Sequence, residues 1–301
     1  MRPLGQRRAR DASARDECRR LAATALPSGT ILVTDVEAFG GNGGLIAVDP
    51  ATGRQTTISE DGMFTVPGMV ALEGRDRAFV ADSDALGSGA IIAVDLATGQ
   101  QTKVAAPMGF GSPSGIARQS DGQLVVGCAE GDPTRLTVAR VNPATGELRL
   151  VAPDVSFFNP AGVALDAAEN VIVVELDTTG TTSRVHRIDH GGGHVVVAEN
   201  APPGATYTGV AIDRSGRILV GNIKGDAGQL LRFRAVMDVP SILAEGRELG
   251  GLSGIAVDAS GAILVANGKN GIVRIDPLTG ARSMPSVGGS FALPNGIAVI
   301  P

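Results

Sequence analysis

Short apolar runs of four or five residues, separated by turns rich in Gly, Asp and Asn, follow one another along almost the whole chain. The clearest copy spans residues 253–280. An apolar stretch Gly254–Asp258 leads into a turn at Asp258–Gly261, a second apolar run Ile263–Ala266, a loop, a third run and a turn at Asp276–Gly280. Each run has strand length and strand composition, so the pattern predicts four short strands per copy. The first turn recurs at Asp213–Gly216 and Gln119–Gly122, with Gly supplying the left-handed position; Asn170 is expected to take that place in the third copy. The second runs, Ile218–Val220, Val171–Val174 and Leu124–Val126, are apolar without alternation, as expected of strands covered on both faces. The last turn recurs at Asp49–Gly53, Asp95–Gly99 and Asn142–Gly146, a hairpin signal of a type I turn followed by a left-handed Gly.

A marker glycine opens each first strand: Gly68, Gly115, Gly162, Gly209, Gly254 and Gly296. The period is about 45 residues, the range of solenoids and propellers, with room for one four-stranded blade per copy. The last copy, from Asn295, is only a first strand. Thr30–Thr34, Gly44–Asp49 and Arg54–Ser59 supply the missing three. The chain therefore predicts an all-β, six-bladed β-propeller over 28–301, closed by N-terminal strands pairing with the C-terminal strand, which leaves no free sheet edge at the join.

Composition sharpens the picture in three places. Forty-three per cent hydrophobic residues provide an ample core, and 42 glycines fit many tight turns. The net charge of −5 is unevenly spread: residues 1–27 carry seven arginines against Asp11, Asp16 and Glu17, so the rest of the chain is distinctly acidic. Residues 1–27 read as a disordered basic tail. The acidic body disfavours nucleic acid, and no apolar run approaches a membrane span. Cys18 and Cys128 imply no disulfide framework, and the apolar stretch Leu21–Leu26 is too short for an export signal; the reading is cytoplasmic and monomeric.

The unit Gly254–Asn267 resembles NHL repeats and the gluconolactonase-like (senescence-marker-protein) propellers over residues 28–301. The resemblance implies the propeller fold and, through the second family, a divalent metal held at the axis by Glu, Asn and Asp. Pro294-Asn295-Gly296 matches that family's metal-site pattern. Asn159 is displaced from it, and the early Glu-Gly-Pro motif is missing.

Strand direction puts the uniform Asp–Gly turns at one end of the ring, the bottom. The dissimilar loops after second and fourth strands lie at the top, where a site is expected. The second strands end in Asp35, Asp82, Cys128, Glu175, Asn222 and Asn267; two residues on, and so on the same strand face, stand Glu37, Asp84, Glu130, Asp177, Lys224 and Lys269. These groups either cap loops or form a site. As a site, Asp35, Asp82 and Glu175 with Lys224 and Lys269 are the catalytic candidates. Asp35, Asp82, Glu175, Asn222, Asn267 and Asn295 would be oxygen ligands for Ca²⁺ or Mg²⁺, which polarises a carbonyl or acidifies water. Ser114, Thr208 and Ser253, with the top-loop aromatics Phe110, Phe158, Tyr207 and Phe291, would line a small-molecule pocket; equally, the aromatics would wedge between blades and the hydroxyls bind channel water. No organic-cofactor motif is present. His186, His190 and His194 fall in one blade near its bottom hairpin, away from the top channel. The register-matched acids and lysines favour a small-molecule enzyme, a metal-assisted hydrolase of lactone- or ester-like substrates with its site at the top of the central channel; the alternative is a non-catalytic NHL-type propeller binding a ligand or peptide.

Overall fold

The computed structural model describes residues 25–106, 111–129, 137–155, 157, 159–175, 182–200, 205–234, 239–269 and 271–301. The tail expected at 1–27 lies outside the described residues apart from 25–27. Strands β1 (Ile31–Asp35), β2 (Gly44–Val48) and β3 (Gln55–Glu60) open the fold. Blade 1 follows with β4 (Pro67–Glu73), β5 (Arg77–Asp82), β6 (Ala90–Asp95) and β7 (Gln101–Ala105). Blade 2 holds β8 (Ser112–Arg118), β9 (Leu124–Ala129), β10 (Thr137–Val141) and β11 (Leu148–Leu150). Blade 3 holds β12 (Pro160–Leu165), β13 (Val171–Glu175), β14 (Ser183–Ile188) and β15 (His194–Asn200). Blade 4 holds β16 (Ala205–Ile212), β17 (Ile218–Lys224), β18 (Ala227–Phe233) and β19 (Ser241–Gly246). Blade 5 holds β20 (Leu252–Val257), β21 (Ile263–Asn267), β22 (Gly271–Ile275) and β23 (Arg282–Ser286). The last strand, β24 (Pro294–Val299), pairs antiparallel with β1, Ile31 facing Val299, and completes blade 6 in the order β24-β1-β2-β3.

All six sheets are four-stranded and antiparallel, and the inner strands close a circle: β4 packs on β8, β8 on β12, β12 on β16, β16 on β20, β20 on β24 and β24 on β4. The core is divided in the same way. Each of six apolar clusters sits between two neighbouring blades, such as Leu32, Leu45, Val70 and Val80 between blades 6 and 1. This explains the unalternating second strands, whose residues serve the cluster on either side. No helix among the described residues is long and apolar enough to cross a membrane.

The marker glycines do not open their strands; each inner strand begins before its glycine, and the register slips at or beside it. The reason for Gly is contact. A Cβ on Gly115 would lie 2.8 Å from both Ala161 O and Val163 N, and one on Gly254 would lie 2.6 Å from Asn295 O. Backbone meets backbone there, so no side chain fits between adjacent inner strands.

At the bottom, the hairpin glycines are left-handed as expected, Gly53 at φ 71° and Gly280 at φ 70°. The third copy departs from expectation: Glu169, at φ 59°, takes the left-handed place, while Asn170 donates to the Asp166 carboxylate instead. The first-turn acids also hold arginines at one register of the third strands, Asp166 with Arg187 and Asp258 with Arg274. Burial pushes the Asp258 carboxyl up, but hydrogen bonds from Ser260 and the Arg274 charge outweigh it, so its pKa is lowered from 3.8. A depressed folded pKa contributes stability that is complete above the unfolded value and is lost as pH falls through the folded one. Acid titration below about pH 4 is therefore expected to destabilise the parent more steeply than Asp258→Asn, as read by thermal midpoints; parallel acid limbs would contradict this.

Candidate functional site

Two neighbouring blades carry the same loop. Asp35-Val36-Glu37-Ala38-Phe39-Gly40 follows β1, and Asp82-Ser83-Asp84-Ala85-Leu86-Gly87 follows β5. Their geometry matches residue for residue. Asp35 Oδ1 accepts from the backbone N–H groups of Glu37, Ala38 and Leu293, and Oδ2 from Ala292. Asp82 Oδ1 accepts from Asp84, Ala85 and Val66, and Oδ2 from Thr65. Both side chains are 0% exposed. Each carboxylate thus pins its own loop and the connection entering the inner strand of its blade, just ahead of Pro294 or Pro67. The fifth residue of each loop, Phe39 at φ 55° and Leu86 at φ 57°, is left-handed although it has a side chain. That conformation costs roughly 1 kcal/mol and is held by the pinned backbone around it.

The remaining ring positions use different partners. Asn267, also 0% exposed, donates from Nδ2 to Glu248 O and accepts at Oδ1 from Lys269 N. Asn222 Nδ2 donates to Gln229 Oε1 at 3.0 Å. Glu175, 3% exposed, lies 2.9 Å from His186 Nε2 and 3.7 Å from Arg184. Cys128 is buried. Lys224 and Lys269 end in solvent on blades 4 and 5.

Three of the six oxygen ligands expected for Ca²⁺ or Mg²⁺ have their partners in the fold. A hard cation needs several carboxylate or carbonyl oxygens converging on one point. Here both oxygens of Asp35 and of Asp82 face backbone N–H donors, and both ends of the Asn267 amide are used. Among the described residues no three His, Cys, Asp or Glu side chains gather as a metal-holding group. Asp35, Asp82 and Asn267 are thus engaged by the backbone of their own and adjoining loops.

The pocket-lining candidates also turn inward. Ser114 Oγ donates to Pro160 O at 2.8 Å and Ser253 Oγ to Asn295 O at 2.8 Å, each reaching the inner strand of the next blade. Thr34, unnoticed in the sequence, does the same: its Oγ1 donates to Gly68 O and accepts from Gly296 N. Asn295 Nδ2 stands 3.5 Å from Pro67 O, at the limit of a hydrogen bond. Thr208 Oγ1 is buried without a partner among the described residues. Thr34, Ser114 and Ser253 stitch blade to blade. Of the aromatics, Tyr207 is buried edge-on against Phe233, and burial pushes its phenol pKa up to about 12. Phe291 packs with Phe39 on the cluster between blades 5 and 6. Both are wedges; Phe110 and Phe158 lie outside the described residues.

What the top face leaves in water is a different set. Glu37, Glu60, Asp61 and Asp84 are exposed on blades 6 and 1; Leu86, in the blade 1 loop, and Val287, just after β23, are 53% and 55% exposed. The sequence signal for this arrangement was present in the twin Asp-x-acid-Ala-apolar-Gly loops. The histidines correct a second expectation: His186 is not confined to the bottom hairpin but reaches Glu175, because the pairing of Val173 with His186 sets it one diagonal step from that carboxylate.

No protein-family model matches the chain, and no curated protein matches it in sequence. In shape, 628 chains of solved structures match it, a breadth that marks a widely used fold. One of them comes from the crystal structure of a nidogen/laminin complex; it superposes with a TM-score of 0.73 over 90% of this chain and 98% of that one, at 13% identity. The comparison shows a six-bladed β-propeller and leaves NHL and gluconolactonase-like membership as a resemblance.

Proposed function

We propose that the protein is a non-catalytic recognition propeller whose top face, over blades 6 and 1, takes a protein or peptide segment carrying positive charge and apolar side chains. One observation carries this reading: the buried aspartates of the twin loops are consumed by backbone N–H groups, while the acids two residues on, Glu37 and Asp84, are presented to solvent. A pinned loop displaying an acid and an apolar residue suits a surface contact, where complementary charge steers the encounter and apolar groups supply affinity. The structural neighbour, found in a nidogen/laminin complex, supports recognition as a use of this shape. For the metal-assisted hydrolase, no three His, Cys, Asp or Glu side chains gather as a metal-holding group among the described residues.

The test sets the two functions against each other. Calorimetry with Ca²⁺ and Mg²⁺, and a lactone and ester panel with either ion present, are expected to show neither binding nor turnover. A Lys/Leu-rich peptide is expected to bind, more weakly with added salt and roughly tenfold more weakly to the Glu37→Gln, Asp84→Asn double variant. Stoichiometric metal uptake with hydrolysis would overturn the proposal in favour of the enzyme, and peptide binding indifferent to the double variant would remove this face from it.

A further inference from the structure

One cluster of titratable groups plays no part in the proposed recognition face. On one face of blade 3, Glu175, His186 and His194 form a line. Glu175 Oε2 lies 2.9 Å from His186 Nε2, and His186 Nδ1 lies 2.7 Å from His194 Nε2. The first contact has ion-pair distance without the alignment of a hydrogen bond. The two imidazoles stack at 4.9 Å between centroids, and Phe157 stands edge-on to both. Glu175 and His186 are buried, whereas His194 is part-exposed at the outer end.

Among the described residues the charged neighbours are these. From β14 and β15, Arg184 lies 3.7 Å from Glu175 and is shared with Glu199. From blade 2 the neighbours in the cluster are apolar: Val138, Val151 and Ala152, with Phe157 on the connection between the blades. Asp154 is exposed on that connection, Arg149 pairs outward with Glu147, and His190 faces Ala168 O at the hairpin.

We infer that this line is a proton-operated latch on the seam between blades 2 and 3, closed at neutral pH and released when His194 takes up a second proton. The 2.7 Å contact between two ring nitrogens requires one to donate and the other to accept, so it holds a single proton. In the closed state His186 donates from Nδ1 to the bare Nε2 of His194, while its own Nε2 lies 2.9 Å from the Glu175 carboxylate. Protonating His194 Nε2 sets two N–H donors face to face between stacked rings. The rings then separate, and Phe157 loses the surface it packs on. Burial disfavours the charged form of His194 and the His186 charge adds to this, with Glu175 opposing; its pKa is lowered from 6.5. The sign follows: with the folded value depressed, the latch contributes full stability above the unfolded value of 6.5 and loses it as pH falls through the folded one.

The experiment compares the parent protein with His194→Gln, which carries no titrating ring. Between about pH 7.5 and about pH 5 the parent is expected to lose thermal stability and the variant to hold it. Amide exchange in β15, corrected for its intrinsic pH dependence, is expected to accelerate by up to about tenfold per pH unit as pH falls from 6.5 towards the folded His194 value, in the parent alone, and to level off below it. Side-chain NMR of the parent decides the case even if the variant folds poorly. His194 is expected to titrate below 6.5, with the His186 resonances shifting at the same pH. A His194 titration at or above 6.5, or one that leaves His186 unmoved, overturns the latch. Parallel stability profiles for parent and variant do the same.

Discussion

Gly254→Ala is expected to lower the unfolding midpoint by roughly 5–10 °C, and the same substitution at Gly115 is expected to behave alike. The added methyl at Gly254 would meet Asn295 O at 2.6 Å and Ile297 N at 2.9 Å, and at Gly115 it would meet Ala161 O and Val163 N, both at 2.8 Å. All four are backbone atoms of the neighbouring inner strand, so no rotamer change makes room. Overpacking of this kind costs about 1–3 kcal/mol where side chains yield, and the upper end applies where they cannot. A smaller unfolded-state entropy returns only about 0.4–1 kcal/mol. Gly191→Ala, on an exposed hairpin where the nearest heavy atom is a side-chain oxygen, serves as the control and is expected to stay within about 0.5 kcal/mol. Equal midpoints for Gly254→Ala and the control would mean that the inner strands are not in the contact described.

Asp82→Ala is expected to cost about 3–5 kcal/mol, and the loss should be the same with and without a chelator. The substitution leaves four backbone N–H groups, those of Thr65, Val66, Asp84 and Ala85, without their acceptor. Hydrogen bonds to a charged group contribute roughly 1.5–3 kcal/mol each, but water entering the loop recovers part of the sum. Asp82→Asn should fall between, because its oxygen can serve three of the donors while its NH₂ opposes the fourth. Blade 5 shows how a natural Asn solves the same position: Asn267 donates to Glu248 O, and the loop ahead of it supplies a carbonyl where the Asp loops supply N–H groups. Denaturant titration of the three proteins measures the ranking. If the cost appeared only in the presence of Ca²⁺ or Mg²⁺, Asp82 would be a ligand after all.

The two aspartates show why part of the site was legible and part was not. Their positions at the ends of β1 and β5, and the shared acid two residues on, follow from counting along the repeat. Their partners do not. Asp35 binds the N–H of Leu293, 258 residues away, and nothing local to either residue announces that the loop there arrives donor-first. The same holds for Ser114 and Ser253, whose place beside the marker glycines was readable while the carbonyls they bond belong to the next blade. His186 was misplaced for a related reason. Its distance from the hairpin suggested the bottom of the blade, but the pairing with Val173 carries it within reach of Glu175.

What the sequence determined by itself was the ring. Apolar runs of strand length, Asp–Gly turns and a regular glycine marker are local features, and local preferences repeated six times leave closure of the two ends as the arrangement that pairs every inner strand. Tertiary structure alone decided what the polar groups do. A carboxylate at the rim is a ligand if it faces its counterparts across the channel and a staple if N–H groups reach it first; that choice depends on angstrom-scale placement of segments far apart in the chain, which the order of residues does not encode in any short pattern.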